Sequence, residues 1–444
     1  MIQKLFIVAA ALMLVACGGG GGSYNPSSTG STSAGGAAPT PAPTPMATNT
    51  AVVTVDAGPA GLNSGPNGYI GTNFPYVTVT VCAPGSATNC QVIDHVEVDT
   101  GSVGLRILAP VLNSSLLAAL PMQLDTQGNP VGECFGFVDS YMFGSVRSAD
   151  VSVGGEKVAA MPFQAVADTG AFATVPSQCS SGAGTNLNSV NAAGENGILG
   201  VGVTTTDCGN LCQTPGGYSA AIYYDCPSSG CGAIISRASS AQAPFQQLPN
   251  FAAALGVDNN GIMISLPMPD PAGSISVTGT LYFGIDTQTN NSLGNATVLT
   301  ATPSSSNLGA GFITVVYNGN ALPDSYIDSG TNLYLFTTST IADCGGQNAG
   351  YYCPTSDVSV NATLQGGSGS APVVLTVENA ATLLATNNSA LPGLAGDPQQ
   401  FPGGGLTTLS NSFALGLPFF FGRNVYFGIE GTTAGAATGP FFAF

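Results

Sequence analysis

Val96-Glu97-Val98-Asp99-Thr100-Gly101-Ser102 in the first half of the chain has a counterpart in the second, Ser325-Tyr326-Ile327-Asp328-Ser329-Gly330-Thr331. Each run begins as a strand-like segment. Each then presents an Asp, a hydroxyl residue, a Gly and a second hydroxyl residue. Another apolar segment follows, Leu105-Arg106-Ile107-Leu108 in one case and Leu333-Tyr334-Leu335-Phe336 in the other. Taken singly, Asp-Thr-Gly and Asp-Ser-Gly are common turns, because Asp caps nearby backbone N–H groups and Gly bends freely. A third such run, Asp168-Thr169-Gly170, is followed by Ala171, which has no hydroxyl, and it reads as a turn. A matched pair with every hydroxyl position filled points instead to one carboxylate site, built where two halves of the chain meet.

The surroundings are β in pattern. Tyr76-Val77-Thr78-Val79-Thr80-Val81 alternates with period two, as a half-buried strand does. A turn-rich link at 83–88 leads to a returning strand at 92–98, which delivers Asp99. Similar alternation marks 274–283, 313–317 and 372–377, while helix signals are short, at 110–120, 249–255 and 380–385. The chain is therefore read as all-β with few short helices. Its 444 residues exceed one ordinary core and suit two lobes, 51–270 and 271–444. The join is placed at Pro267-Met268-Pro269-Asp270-Pro271, a Pro-rich link suited to a crossover. Each half ends in an apolar, Gly-containing strand, Asn196-Gly197-Ile198-Leu199-Gly200 in the first and Leu417-Pro418-Phe419-Phe420-Phe421-Gly422 in the second.

Only 7% of residues are charged, with 23 acids against 6 bases and a net charge of -17. Nucleic acid is excluded as a partner, since neutralising phosphates needs clustered Lys and Arg. Residues 1–16 read as a signal peptide, with Lys4 ahead of an apolar run too short to span a bilayer. The run ends in Leu14-Val15-Ala16-Cys17-Gly18, a pattern similar to bacterial lipoprotein signals, which implies lipid on Cys17 and sorting to the outer membrane. Residues 17–50 then form a Gly/Ser/Pro-rich tether with no means of building a core. Ten further Cys in an exported chain suggest five disulfides. Cys82 with Cys90 and Cys344 with Cys353 are the natural local pairs, and Cys134 with Cys179 is a third. Cys208, Cys212, Cys226 and Cys231 allow three pairings.

In kind and order these elements resemble the pepsin-like aspartic protease family across roughly residues 70–444. The hairpin before Asp99, the Asp-Thr-Gly-Ser loop and Gly197-Ile198-Leu199-Gly200 match the first lobe. Leu281-Tyr282-Phe283-Gly284-Ile285-Asp286, the Asp-Ser-Gly-Thr loop and the closing segment 419–429 match the second. The chain is also similar to a bacterial lipoprotein family known as a domain of unknown function. The resemblance implies a bilobal fold of two pseudo-symmetric β lobes, in a monomer without a cofactor. It implies that Asp99 and Asp328 share a proton and activate a water, with a polypeptide substrate or peptide ligand in the interlobe cleft. Two carboxylates that close cannot both ionise readily, which is what such chemistry needs. Thr100 and Ser329 would lock the loops together, Ser102 and Thr331 would hold the outer carboxylate oxygens, and Gly101 and Gly330 would let the backbone turn beneath them.

The pattern departs from that family at the flap. The chain has no Trp, and Arg106 occupies the place where the family carries one. The flap hairpin is placed at 134–153 with Asp139 and Ser140 near its tip, leaving Phe137 or Tyr141 for the usual tyrosine's role. A pepsin-fold surface lipoprotein that binds peptide or glycan without cleaving it is the competing reading. His95, the only histidine, lies on the strand leading to Asp99, on the side of Glu97 and Asp99 if that strand is regular. A strand histidine of this kind is read as structural. No metal site is expected from one His among oxidised Cys.

Overall fold

The structure is a computed structural model that describes residues 48–62, 71–181, 184–209, 220–235, 247–303, 311–401, 409 and 411–444. The lipidation residue Cys17 and the cysteine Cys212 lie outside the described residues. Strand β1 (Thr50–Val55) is followed by β2 (Pro75–Cys82), β3 (Cys90–Asp99), β4 (Val103–Leu108), β5 (Val131–Gly136), β6 (Ser140–Val153) and β7 (Glu156–Val166). β2 buries Val77, Val79 and Val81 and exposes Thr78, so the alternation read from sequence is realised. The helices are short, with Ser114–Ala119 and Ala380–Leu384 among them. The expected helix at 249–255 is a run of turns instead, where the Asn250 side chain caps Ala252 N and reaches the carbonyls of Gly202 and Thr204.

Two sheets hold the site. A 16-stranded sheet runs from the β5–β6 hairpin through β7, β4, β3, β2 and β1, then into strands from the second half. A 7-stranded sheet carries the remainder of the second half. β1 pairs along its whole length with Val277–Phe283, from Thr50 opposite Tyr282 to Val55 opposite Val277. Val277–Phe283 in turn pairs with Gly261–Leu266, and that strand with Arg423–Gly428. The Pro-rich link near 270 thus falls between two strands that pair with each other, and the two halves share one sheet there.

The two Asp loops are framed alike. In the first half, β3 runs parallel to Gly197–Val201 while β4 runs antiparallel to it. In the second, Asn320–Ile327 runs parallel to Ala414–Leu415 while Tyr334–Leu335 runs antiparallel to it. Each Asp therefore leaves its strand beside a third, later strand, giving two copies of one motif. This repeated motif in an all-β chain is the bilobal pepsin-like fold expected from the sequence. One element was misplaced: the second late strand is Ala414–Leu415, not 417–422. Leu417–Phe419 forms a 3-10 turn instead, because Pro418 fixes φ and has no N–H to offer a ladder.

Among the described residues the disulfides Cys82–Cys90, Cys134–Cys179, Cys226–Cys231 and Cys344–Cys353 are formed. Cys208 is also disulfide-bonded. Among the long-range links is Asn73. Its Nδ2 donates to Asn332 O at 2.8 Å and Leu391 O at 2.9 Å, and its Oδ1 accepts from Leu391 N at 2.7 Å. The residue is fully buried and sits at φ 55°, a conformation Asn tolerates better than most. Asn73→Ala removes three buried hydrogen bonds between distant segments and should lower the unfolding free energy by about 2–4 kcal/mol in denaturant titration. No change in the transition midpoint would contradict that role.

Candidate active site

Asp99 and Asp328 stand at the ends of the two parallel-paired strands, both fully buried. Their loops are built alike. Gly101 N donates to Asp99 Oδ1 at 2.8 Å, and Gly330 N donates to Asp328 Oδ1 at 2.8 Å. Ser102 Oγ donates to Asp99 Oδ2, and Thr331 Oγ1 donates to Asp328 Oδ2 at 2.8 Å. The loops also hold each other. Thr100 N donates to Ser329 Oγ at 3.1 Å, Ser329 N donates to Thr100 Oγ1 at 2.8 Å, and Ser329 Oγ donates to Val98 O at 2.7 Å. Neither hydroxyl pair could form unless the two loops faced each other across a pseudo-twofold axis.

The glycines have a different reason from the one read in sequence. Neither Gly101 nor Gly330 has a positive φ. A methyl group on Gly101 would sit 2.7 Å from the Asp328 carboxyl carbon. One on Gly330 would sit 2.6 Å from Asp99 Oδ1 and 3.4 Å from Asp328 Oδ1. Both carboxylates thus converge on a point where any side chain would collide. Glycine is needed here for close approach rather than for turning. Burial pushes the Asp328 carboxyl well above its ordinary value, and the Asp99 charge pushes it further. Asp328 is therefore a carboxyl that keeps its proton at pH values where an exposed Asp has lost it.

The hairpin at 134–153 is present, formed by β5 and β6 with Gly136 opposite Tyr141. Its tip is residues 137–139, closed by Phe137 N donating to Ser140 O at 2.7 Å. Ser140 is already within β6 and is buried beside Thr185. Asp139 O accepts from Thr185 N at 2.9 Å. Phe137 packs on Phe135, ring centroids 4.9 Å apart, whereas Tyr141 packs with the Cys134–Cys179 disulfide cluster on the other side. Phe137 is thus the residue that faces the interior under the hairpin tip. Val138 at the tip packs against an apolar cluster of the second half that includes Tyr326, Leu333 and Leu335.

Sequence reasoning noted Arg106 only as a missing Trp. The structure gives it partners. Its guanidinium lies 3.8 Å from the centroid of the Phe135 ring and donates to Glu133 Oε1 at 2.7 Å, Asp207 Oδ2 at 3.3 Å and Val103 O at 2.8 Å. Tyr223 Oη donates to Asp207 and accepts from Leu248 N. Arg106, Glu133, Asp207 and Tyr223 are all inaccessible to solvent. Burial raises the Asp207 carboxyl well above its ordinary value, with the adjacent Glu133 carboxylate adding to the rise. A guanidinium, two carboxyl groups and a phenol thus form one buried network beside Phe135 of the hairpin.

His95 does not share a face with Asp99. It adopts φ 47° at a bulge where the β2–β3 register shifts, and pairs instead with Asp56 at 3.3 Å and Asp94 at 3.1 Å. Asp168 of the third Asp-Thr-Gly run accepts from Arg147 at 2.8 Å and from Ser145 at 2.5 Å, far from any second carboxylate loop. Among the described residues no group of three or more His, Cys, Asp or Glu is placed to hold a metal ion.

A family model described as "Protein of unknown function (DUF3443)" matches residues 45–444. No curated protein matches the chain. Among solved structures the chain is similar to an aspartic proteinase from Irpex lacteus, at 15% identity, with 89% of this chain and 96% of that one covered and a TM-score of 0.48.

A raised buried carboxyl favours the fold while protonated, so its stability is complete below the ordinary value of 3.8 and is lost as pH rises through the raised value. Asp207 and Asp328 both act in this direction, and the melting temperature should fall as pH rises above the ordinary carboxylate range. In Asp207→Asn the fall should be shallower, because one of the two titrations is gone. An unchanged slope in that variant would show that Asp207 does not titrate in the fold.

Proposed function

We propose, for a chain that belongs to the family described as "Protein of unknown function (DUF3443)", that Asp99 and Asp328 form the proton-sharing pair of an aspartic endopeptidase. The observation that carries the reading is the reciprocal hydroxyl lock between Thr100 and Ser329, with the two carboxylates converging above it. Asp328, the member whose charged form is disfavoured, carries the shared proton. Asp99 takes a proton from a bound water as its oxygen attacks the scissile carbonyl carbon. The Asp328 proton passes to the carbonyl oxygen, giving a neutral gem-diol. Asp99 then gives its proton to the nitrogen while Asp328 takes one back from a gem-diol hydroxyl, which breaks the C–N bond and restores the pair. Gly101 and Gly330 keep the space above the carboxylates open for the peptide. The hairpin tip, reaching Leu333 and Leu335 of the second half, is suited to cover an extended peptide in that cleft.

The location belongs to the same proposal. The Leu14-Val15-Ala16-Cys17 run and Gly18 support cleavage before Cys17 and lipid anchoring at a bacterial outer membrane, with the Gly/Ser/Pro-rich segment as a tether. A second reading, a non-catalytic binder of peptide or glycan, is favoured by one observation. Phe137 sits under the hairpin tip where a hydroxyl donor would otherwise aid the reaction.

Digestion of an unfolded protein substrate separates the two. The wild-type chain should cleave it at acid pH, with the rate falling as pH rises past the point where Asp328 loses its proton. Asp99→Asn should lower the rate by at least about a thousandfold while leaving the melting temperature within a few degrees. A folded wild-type protein that binds peptides but cleaves none between acid and neutral pH would leave the binding reading standing.

A further inference from the structure

Tyr326 lies two residues ahead of Asp328 on the same strand, so its side chain leaves the same face of the sheet. It is 5% exposed. Its ring meets Phe312 edge-on at 6.3 Å and packs with Leu333, Leu335 and the tip residue Val138 in one apolar cluster. Its hydroxyl is a polar group in a mostly apolar cluster, which also holds Tyr351. It is buried without a well-formed hydrogen bond, close to Thr331 and the Asp328 carboxyl. A buried donor in this state is a cost to the free protein, and apolar packing does nothing to relieve it. Its place, between the catalytic carboxyl and the covering hairpin, is one that a bound peptide's side chain would enter.

We propose that Tyr326 is a specificity-determining residue that donates a hydrogen bond to a substrate side chain next to the scissile bond, and that the preferred side chain is a carboxamide, Gln or Asn. This rests on the peptidase reading above. The carboxamide follows from what surrounds the hydroxyl. Tyr326 supplies a donor for the amide oxygen. Asp139 on the hairpin tip, whose charge reaches Tyr326, supplies an acceptor for the amide N–H groups. The phenol itself stays protonated, because burial and the neighbouring Asp328 and Asp139 charges push its pKa well above the ordinary tyrosine value. The donor is thus present at every pH where the pair could work. An apolar side chain in the same place would leave the hydroxyl unpaired.

The test uses the full-length protein and two peptides that differ only at the residue flanking the scissile bond, Gln in one and Met in the other. Wild-type protein should cleave the Gln peptide with kcat/KM tenfold to a hundredfold above the Met peptide. Tyr326→Phe keeps the ring and removes the donor. It should lose that preference or reverse it, and melt at the same temperature or higher. Equal cleavage of both peptides by wild type, or the same ratio in Tyr326→Phe, overturns the Tyr326 assignment and leaves the peptidase reading in place. Cleavage of neither peptide nor of unfolded protein overturns the peptidase reading, and this proposal with it.

Discussion

The structure depends on the exchange of hydroxyl-to-amide hydrogen bonds between Thr100 and Ser329. Two buried carboxylates facing each other repel, and burial alone disfavours their charge. Something must hold the strands that carry them at that distance. A lock made of backbone amides and short side chains suits the task, because it leaves little rotamer freedom to lose. Ser329 Oγ also donates to Val98 O, so the lock reaches into the strand that delivers Asp99. The shared sheet formed by β1 and Val277–Phe283 sets the approximate relation of the halves, and the lock sets the final register. The missing side chains at Gly101 and Gly330 are the other half of the constraint, since a methyl at either would drive the loops apart.

The chemistry of the hairpin support follows from a composition with few cations. Of six Lys and Arg, two are buried inside ion networks, Arg106 with Glu133 and Asp207, and Arg147 with Asp168. A buried guanidinium is tolerated only when its donors and its charge are met, and one carboxylate would suffice for the charge. Arg106 has two carboxylates beside it, so one of them is held neutral by its surroundings. Phe135 covers the guanidinium face, which lets the hairpin rest on a charged group while presenting an apolar ring to Phe137. The same physical logic, a buried carboxyl pushed up by burial and by a neighbouring acid, thus occurs at the candidate site and beneath the hairpin.

Much of this was legible in the sequence where local pattern and tertiary role coincide. The period-two strands, the two Asp loops and the hairpin at 134–153 could be read because each is set by near neighbours. The pairings Cys82–Cys90 and Cys344–Cys353 close short loops and were equally plain. What escaped reading was set by distant partners. Leu417–Phe419 has the apolar content of a strand, and only Pro418 signalled that the ladder would be formed earlier. The bulge that turns His95 toward Asp56 depends on a register shift against β2, which has no local mark. Arg106 could not be paired from sequence, since Asp207 lies a hundred residues away in a turn. Tyr326 could have been found, because two residues of strand spacing put it on the face of Asp328.

That last residue shows how the site differs from a generic pair of acids. A strand that presents Asp328 must also present something at the position two residues before it, and in a buried cleft an aliphatic side chain is the cheapest choice. A tyrosine there brings a hydroxyl that the free protein leaves without a well-formed bond. Replacing it with Phe would remove the orphan donor at almost no change in volume, so folding gives no reason to keep the oxygen. Its position beside the Asp328 carboxyl and under the hairpin tip gives one. On the proposed reading that donor is matched when a bound peptide supplies the acceptor, and the hairpin tip at Val138 packs against the cluster that holds Tyr326.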